Sequence, residues 1–286
     1  MSSATGLQVR EWGQLHTSIQ WVYRGKVSED GRGRFTGNCG VAAWYFLRGT
    51  GLVRDDGGAT QARRGDWLFP AMGPHERDFS RDAEILSLRF YMEWPDGQPL
   101  YSLDRSILLN GAKYPELLRT ARALERAAHE GTQKNCAGPE FLLERLDFPE
   151  YAEIGSALLK WSRAMARAFA QEEIAPSLER FEDERVVRAL RVLDGWPLRE
   201  AFSLGQLVEI TGISRAQLDR LFRTKLGQTP HHYFDRRRLR HAERSIQRPD
   251  QPIKEVAFDV GFRHVSSFSA WFKQNTGVNP NVHRAR

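Results

Sequence analysis

Cysteine is scarce in this chain: 286 residues hold two, Cys39 and Cys136, far apart and in no C-x-x-C. That spacing offers neither a disulfide framework nor a structural zinc site, and reads as two free thiols of a reducing cytoplasm. Long apolar runs are also missing. None reaches the roughly eighteen residues that a membrane-spanning helix needs. The opening stretch, MSSATGLQVREWGQ, lacks the basic segment and apolar core of a signal peptide. The expectation is a cytoplasmic protein with no membrane partner.

What is present is ordinary in amount and uneven in placement. Hydrophobic residues make up 41% and charged residues 27%, and the length suits two domains with separate cores. From Val186 onward, however, 18 Lys and Arg face 9 Asp and Glu, whereas the preceding 185 residues hold 24 against 27. A basic third on a slightly acidic remainder suggests one module that meets a polyanion and one that does not.

Within the basic third the chain repeats itself. GISRAQLDRLFRTKLGQTP (212–230) and GFRHVSSFSAWFKQNTGVNP (261–280) both place Phe four residues after Leu218 or Phe268. Both then reach Gly227 or Gly277, with Pro230 or Pro280 beyond. The match extends upstream, LGQLVEITGI against IKEVAFDVGF, with an offset that grows by one residue after the glycine, so Arg263 is an insertion. The spacing of Leu204, Leu207 and Val208 predicts a short amphipathic helix. Gly212 or Gly261 suits the left-handed position after a helix end. Ser214 followed by Gln217 is a capping-box pattern that opens a second helix. Leu218, Leu221 and Phe222 form its inner face and leave Arg215, Ala216, Asp219 and Arg220 outward. Each copy therefore predicts a helix-turn-helix, over 204–226 and 253–276. The second helix of such a unit fits a major groove about 12 Å wide.

The residues 203–246 and 252–284 resemble the DNA-binding domain of AraC/XylS-family transcription regulators. The second copy carries the most specific pattern: Ile-x-x-Val-Ala, Gly-Phe, Ser-x-Phe, Phe-Lys, Gly and Pro. The resemblance implies an all-α domain of seven helices over 186–286, its two units joined by a helix from about Pro230 to Gln247. It also implies base-facing positions. The first unit would present Ala216, Asp219 and Arg220, with Arg215 nearby. The second would present Val265, Ser266, Ser267, Ser269 and Ala270, with Arg263 and His264 at the entrance. Arg220 suits a guanine edge and Asp219 a cytosine amine, but each is also placed for a surface pair, and Ser266 has a structural alternative. The arginines of DRRRLRHAER (235–244) either solvate the linker helix or reach phosphate, Arg236 and Arg240 being the candidates. Neither Arg263 nor His264 is a favoured helix cap, so the second recognition helix is expected to start less firmly.

Residues 19–92 read as short strands between Gly-rich turns, which predicts a small antiparallel barrel or sandwich. RRGDWLFPAMGPHERDF (63–79) resembles the cupin-like sensor domains found in front of such DNA-binding domains. The overall expectation is an α+β chain. A cupin-like β-barrel sensor with a helical dimerisation segment would occupy 1–175, a linker 176–185 and the all-α tandem helix-turn-helix domain the rest. A cupin enzyme would offer several histidines to a metal; only His75, beside Glu76, falls in the matching region, so no metal and no cofactor is expected. His75 reads as a pocket-rim or hydrogen-bonded residue. Alternation nominates Trp44, Phe46 and Arg48 on one strand, and Trp67 and Phe69 on another, as lining of an effector pocket or as barrel filling. Arg48 or Arg89, if inward, would need an anionic partner. Helical spacing over 114–131 and 151–173, with Leu117, Leu118, Leu124, Leu158, Leu159 and Trp161, suits a dimer contact or packing on the strands.

These readings converge on a sequence-specific regulator that binds double-stranded DNA, takes a small-molecule effector, forms a homodimer and meets RNA polymerase. Alternatives are a β-domain that only dimerises or binds a protein, and, more distantly, an enzyme built on the β-domain.

Overall fold

The computed structural model describes residues 7–35, 40–130, 141, 145–178, 183–248 and 251–284. Cys39 and Cys136 lie outside them. The chain divides into two compact units, one formed by His16–Met92 with Pro99–Pro176, the other by Met1–Leu15, Glu93–Gln98 and Ser177–Arg286. No described helix is long and apolar enough to cross a membrane.

The first unit is built from β1 (His16–Lys26), β2 (Gly33–Phe35), β3 (Val41–Arg48), β4 (Thr50–Asp55), β5 (Gly58–Arg63), β6 (Asp66–Phe69), β7 (His75–Phe79), β8 (Glu84–Glu93) and β9 (Ile107–Asn110). Two helices follow, α2 (Pro115–Glu130) and α3 (Phe148–Gln171); α1 (Val9–Trp12) belongs to the other unit. Among the described residues the strands form a five-stranded sheet, β1-β8-β3-β6-β9, and a four-stranded sheet, β2-β7-β4-β5. The expected cupin-like β-barrel is therefore corrected: among the described residues the strands form two separate sheets that do not close into one barrel.

Register decides which residues share a face. In the antiparallel pairing of β3 and β6, Trp44 lies opposite Leu68 and Tyr45 opposite Trp67. Side chains alternate along a strand, so Trp44, Phe46 and Leu68 share the inner face with Val53, Ala62, Phe79 and Ile85. Trp67 and Phe69 fall on the opposite face. They pack there on α3, Trp67 against Trp161 at 6.3 Å and Phe69 edge-on to Phe169 at 5.0 Å. Grouping Trp67 and Phe69 with Trp44 and Phe46 therefore needs correction. Alternation fixes parity within a strand, and only the partner register shows which parities meet.

Helix α3 starts from a reciprocal cap in which Asp147 accepts from Glu150 N at 2.9 Å and Asp147 N donates back to Glu150 at 2.9 Å. Its buried stripe runs through Ile154, Leu158, Trp161, Met165 and Phe169. Leu117 and Leu124 of α2 are buried too. Leu159 differs: it stays 58% exposed. Most of the leucines expected at a dimer contact or on the strands are thus interior to this unit.

The second unit carries α4 (Glu184–Gly195), α5 (Leu204–Thr211), α6 (Arg215–Leu226), α7 (Pro230–Ile246), α8 (Ile253–Asp259), α9 (Val265–Thr276) and α10 (Pro280–Arg284). It has two cores. One gathers Leu190, Leu193, Leu207, Leu218, Phe222, Tyr233 and Phe234, the other Ala242, Ile246, Val256, Val260, Phe268 and Phe272. Helix α7 supplies its first half to one and its last half to the other. At 17 residues and about 1.5 Å per residue it is roughly 25 Å long, a rigid spacer between two helix-turn-helix units.

Candidate nucleic-acid interface

In the first helix-turn-helix, Ser203 Oγ accepts from Gln206 N at 3.3 Å and opens α5. Gly212 closes it in the left-handed conformation, φ 67°. Ser214 and Gln217 then form the predicted reciprocal cap of α6, at 3.4 and 3.3 Å. Leu218, Leu221 and Phe222 are buried, which turns Arg215, Ala216 and Arg220 fully outward and leaves Asp219 half-buried.

The second helix-turn-helix repeats this arrangement with a longer turn. Helices α6 and α9 have the same length, 12 residues each, while the turn is Gly212–Ser214 in one copy and Val260–His264 in the other. The turn is two residues longer, one from the insertion and one because α8 is a residue shorter than α5, and both reading helices keep the same length. Gly261 sits there at φ 84°, and a Cβ would lie 3.0 Å from Arg199 O and 3.1 Å from Leu198 O. Both the backbone conformation and the close approach call for glycine. Arg238 of α7 donates from Nε to Val260 O at 2.7 Å and stacks over Phe262 at 4.7 Å, which pins the same turn. His264 occupies the N-cap of α9 with no side-chain cap bond, in keeping with the weaker start expected of it. Phe268 and Phe272 face inward. Arg263, His264, Val265, Ser266, Ser267 and Ala270 are exposed, and Ser269 is half-buried.

The arginines of α7 divide by task. Arg237 donates to Asp194 O at 2.6 Å and to Leu193 O, satisfying carbonyls at the end of α4. Arg240 donates from Nε to Glu93 at 2.9 Å, and Arg244 joins the same carboxylate. Glu93 is only 4% exposed. The guanidinium of Arg240, a candidate for phosphate, is therefore committed to a buried carboxylate in this structure, a pairing between residues 147 apart that no local pattern announces. Arg236 is half-buried. Next to Glu93, Asp96 accepts from Gln228 at 2.9 Å, and Trp94 lies 6.2 Å from Trp12.

In the β-rich unit, Trp44 and Phe46 are buried on the inner face. Arg48 points outward, 71% exposed and 3.3 Å from Asp82, so the idea of an inward Arg48 is corrected. His75 is buried; its Nδ1 lies 2.8 Å from Gly73 O, and its Nε2 accepts from Arg77 at 3.0 Å. That pattern is a neutral ring with the proton on Nδ1, and burial lowers its pKa below the ordinary histidine value. Around it stand Arg77 and Phe35, which the sequence reading passed over. The parity of β7, with His75, Arg77 and Phe79 on one face, was the available signal. Among the described residues, no group of three His, Cys, Asp or Glu is placed to hold a metal ion.

A family model described as a helix-turn-helix domain matches residues 207–286. The chain is 33% identical over 111 residues to the probable transcriptional regulator LumQ of Photobacterium leiognathi, covering 37% of this chain and 45% of that protein. It is 30% identical over 105 residues to the transcriptional activator RhaR of an Enterobacter species, covering 37% of each. The match thus spans less than half the length of these curated relatives. Among solved structures, unsaturated fatty acid-bound ToxT from Vibrio cholerae aligns over 94% of both chains at 14% identity and a TM-score of 0.48. An AraC-type regulator structure from Chromobacterium violaceum aligns over 36% of this chain and 90% of its own at 26% identity and a TM-score of 0.33. The paired units described above and the family match agree: residues 207–286 of this chain form a helix-turn-helix domain.

Proposed function

We propose that the protein is a sequence-specific DNA-binding transcription regulator controlled by a small molecule bound in its β-rich unit. The observation that carries the reading is the pair α6 and α9. Each buries one face in its own core and exposes the other, and α7 spaces the two. Exposed helices of this kind suit two successive major-groove segments, about 34 Å apart on B-DNA. On this reading Arg215, Ala216, Asp219 and Arg220 read one segment, and Val265, Ser266, Ser267, Ser269 and Ala270 the other, with Arg263 and His264 at the second entrance. The long donors of α6 favour selection by hydrogen bonds, and the small face of α9 favours methyl contact and shape. Arg236 remains the phosphate candidate of the linker helix.

The same reading includes a cytoplasmic homodimer that acts on transcription with RNA polymerase, a cupin-like sensor and a regulatory rather than enzymatic role. Exposed Leu159 on α3 offers apolar surface for self-association. Fluorescence anisotropy with labelled duplexes tests the DNA reading: specific sites of about 15–20 bp should bind with steep salt dependence. Equal affinity for all sequences would contradict it. Light scattering coupled to size exclusion tests the dimer, which fails if only monomer mass appears at micromolar concentration.

A further inference from the structure

Helix α2 carries Arg122, Glu125, Arg126 and His129 at the spacing i, i+3, i+4 and i+7, which sets all four on one side of the helix. This helix packs against β1. Val22 of β1 is buried, and Arg24, two residues on, falls on the same face of the strand. The Arg24 guanidinium lies 3.8 Å from the Glu125 carboxylate. These five side chains line one open cavity of about 540 Å³, within the usual size of small-molecule sites.

The charge of the cavity is one-sided. Glu125 is the single carboxylate that lines it, against three arginines and a histidine. Several other exposed cations of this unit pair one to one: Arg48 meets Asp82 at 3.3 Å, Lys113 meets Glu172 at 2.6 Å, and Arg119 pairs with Glu116. The first 185 residues hold more acidic than basic side chains, 27 against 24, so three arginines around one acid depart from the local composition. Fold stability does not call for them. Arg122 and Arg126 stand one turn apart, where like charges repel, and both are exposed, as is Arg24. The helix dipole accounts for His129, in the last turn of α2. It does not account for Arg122, two turns earlier, or for Arg24 on a strand.

The lining also selects a chemistry. It contains no aromatic and no aliphatic residue, so a flat or apolar ligand finds nothing to pack on. A guanidinium presents its donors in a planar fork that matches phosphate oxygens two at a time. Three forks from two elements suit an anion whose charged oxygens spread over more than one centre. Three arginines less one carboxylate leave two positive charges for it to neutralise.

We propose that this cavity between β1 and α2 binds the diphosphate or polyphosphate group of a small molecule through Arg24, Arg122 and Arg126. Glu125 orients Arg24. The site goes beyond the effector and DNA readings and depends on neither.

Isothermal titration calorimetry on the full chain without DNA, at fixed ionic strength, tests it with inorganic pyrophosphate as the probe. A charge-assisted pair is worth about tenfold or more in affinity, so pyrophosphate should bind at least about tenfold more tightly than sulfate, which offers a single centre. Arg122→Gln and Arg126→Gln should each lose about tenfold. Arg122→Lys should lose less, because it keeps the charge without the fork. Arg54→Gln, exposed on β4 and outside the cavity, should match wild type. Absence of saturable binding, equal affinity for pyrophosphate and sulfate, or an undiminished Arg122→Gln or Arg126→Gln variant would each overturn the proposal. Displacement of pyrophosphate by excess duplex DNA would overturn it too, by assigning the patch to a nucleic-acid backbone. The wild-type comparison of the two anions decides even if a variant misfolds, and its failure leaves the DNA-binding reading standing.

Discussion

Ser214 and Gln217 cap one another at the start of α6, and the equivalent start of α9, at His264, has no side-chain cap. Two copies of one motif therefore begin with different firmness. Ser214→Ala should lower the stability of the helical unit by about 1 kcal/mol. His264→Ser should raise it by a smaller amount. Urea denaturation followed by circular dichroism reads both, and a neutral Ser214→Ala would contradict the capping argument.

Arg220 is exposed on the outer face of α6. Its replacement by Ala is expected to relax preference at a single base pair, with a loss of about 1–3 kcal/mol on the preferred base. Competition binding with point-substituted duplexes measures this. An equal loss on every duplex would assign Arg220 to phosphate.

Because Arg240 is held by Glu93, Arg240→Ala should destabilise the helical unit and leave the salt dependence of DNA binding unchanged. A phosphate contact would instead reduce the slope of log K against log salt by about 0.9. Anisotropy titrations at several salt concentrations separate the two outcomes.

His75 gives the β-rich unit a pH response. Burial lowers its pKa, the Arg77 and Arg89 charges lower it further, and the Gly73 carbonyl and Asp55 act in the opposite sense. The folded value lies below the unfolded one, so over that interval the unfolded chain binds more protons and stability rises with pH. Stability should be complete above about pH 6.5 and decline as pH falls toward the folded value. Thermal denaturation from pH 7.5 to 5.5 should show this loss in wild type and less of it in His75→Gln. An identical pH response in the two would refute it.

The helical part was legible because its signals are local. Capping pairs, terminal glycines and i, i+3, i+4 stripes each act within a few residues, and a second copy reinforced the glycines and the stripes. Even the inserted Arg263 fell where the offset placed it, in the turn before α9. The β-rich part was legible as strands but not as faces. Trp67 could not be assigned to the α3 side until its pairing with Tyr45 was known. Arg48 and Arg89 looked equivalent in sequence, yet one reaches Asp82 at the surface and the other stacks on Trp21 inside. The Glu93–Arg240 pair joins distant parts of the chain, and nothing periodic marks it.

Selection of binding sites from a random DNA pool with the purified full chain probes the two-helix reading without assuming an effector. Enriched sequences should contain two conserved blocks about one helical turn, roughly 10 bp, apart, the block read by α6 being the more sharply defined. Arg220→Ala should blur one position in that block alone. A pool that shows no enrichment, or that retains a single block, would contradict a pair of reading helices spaced by α7.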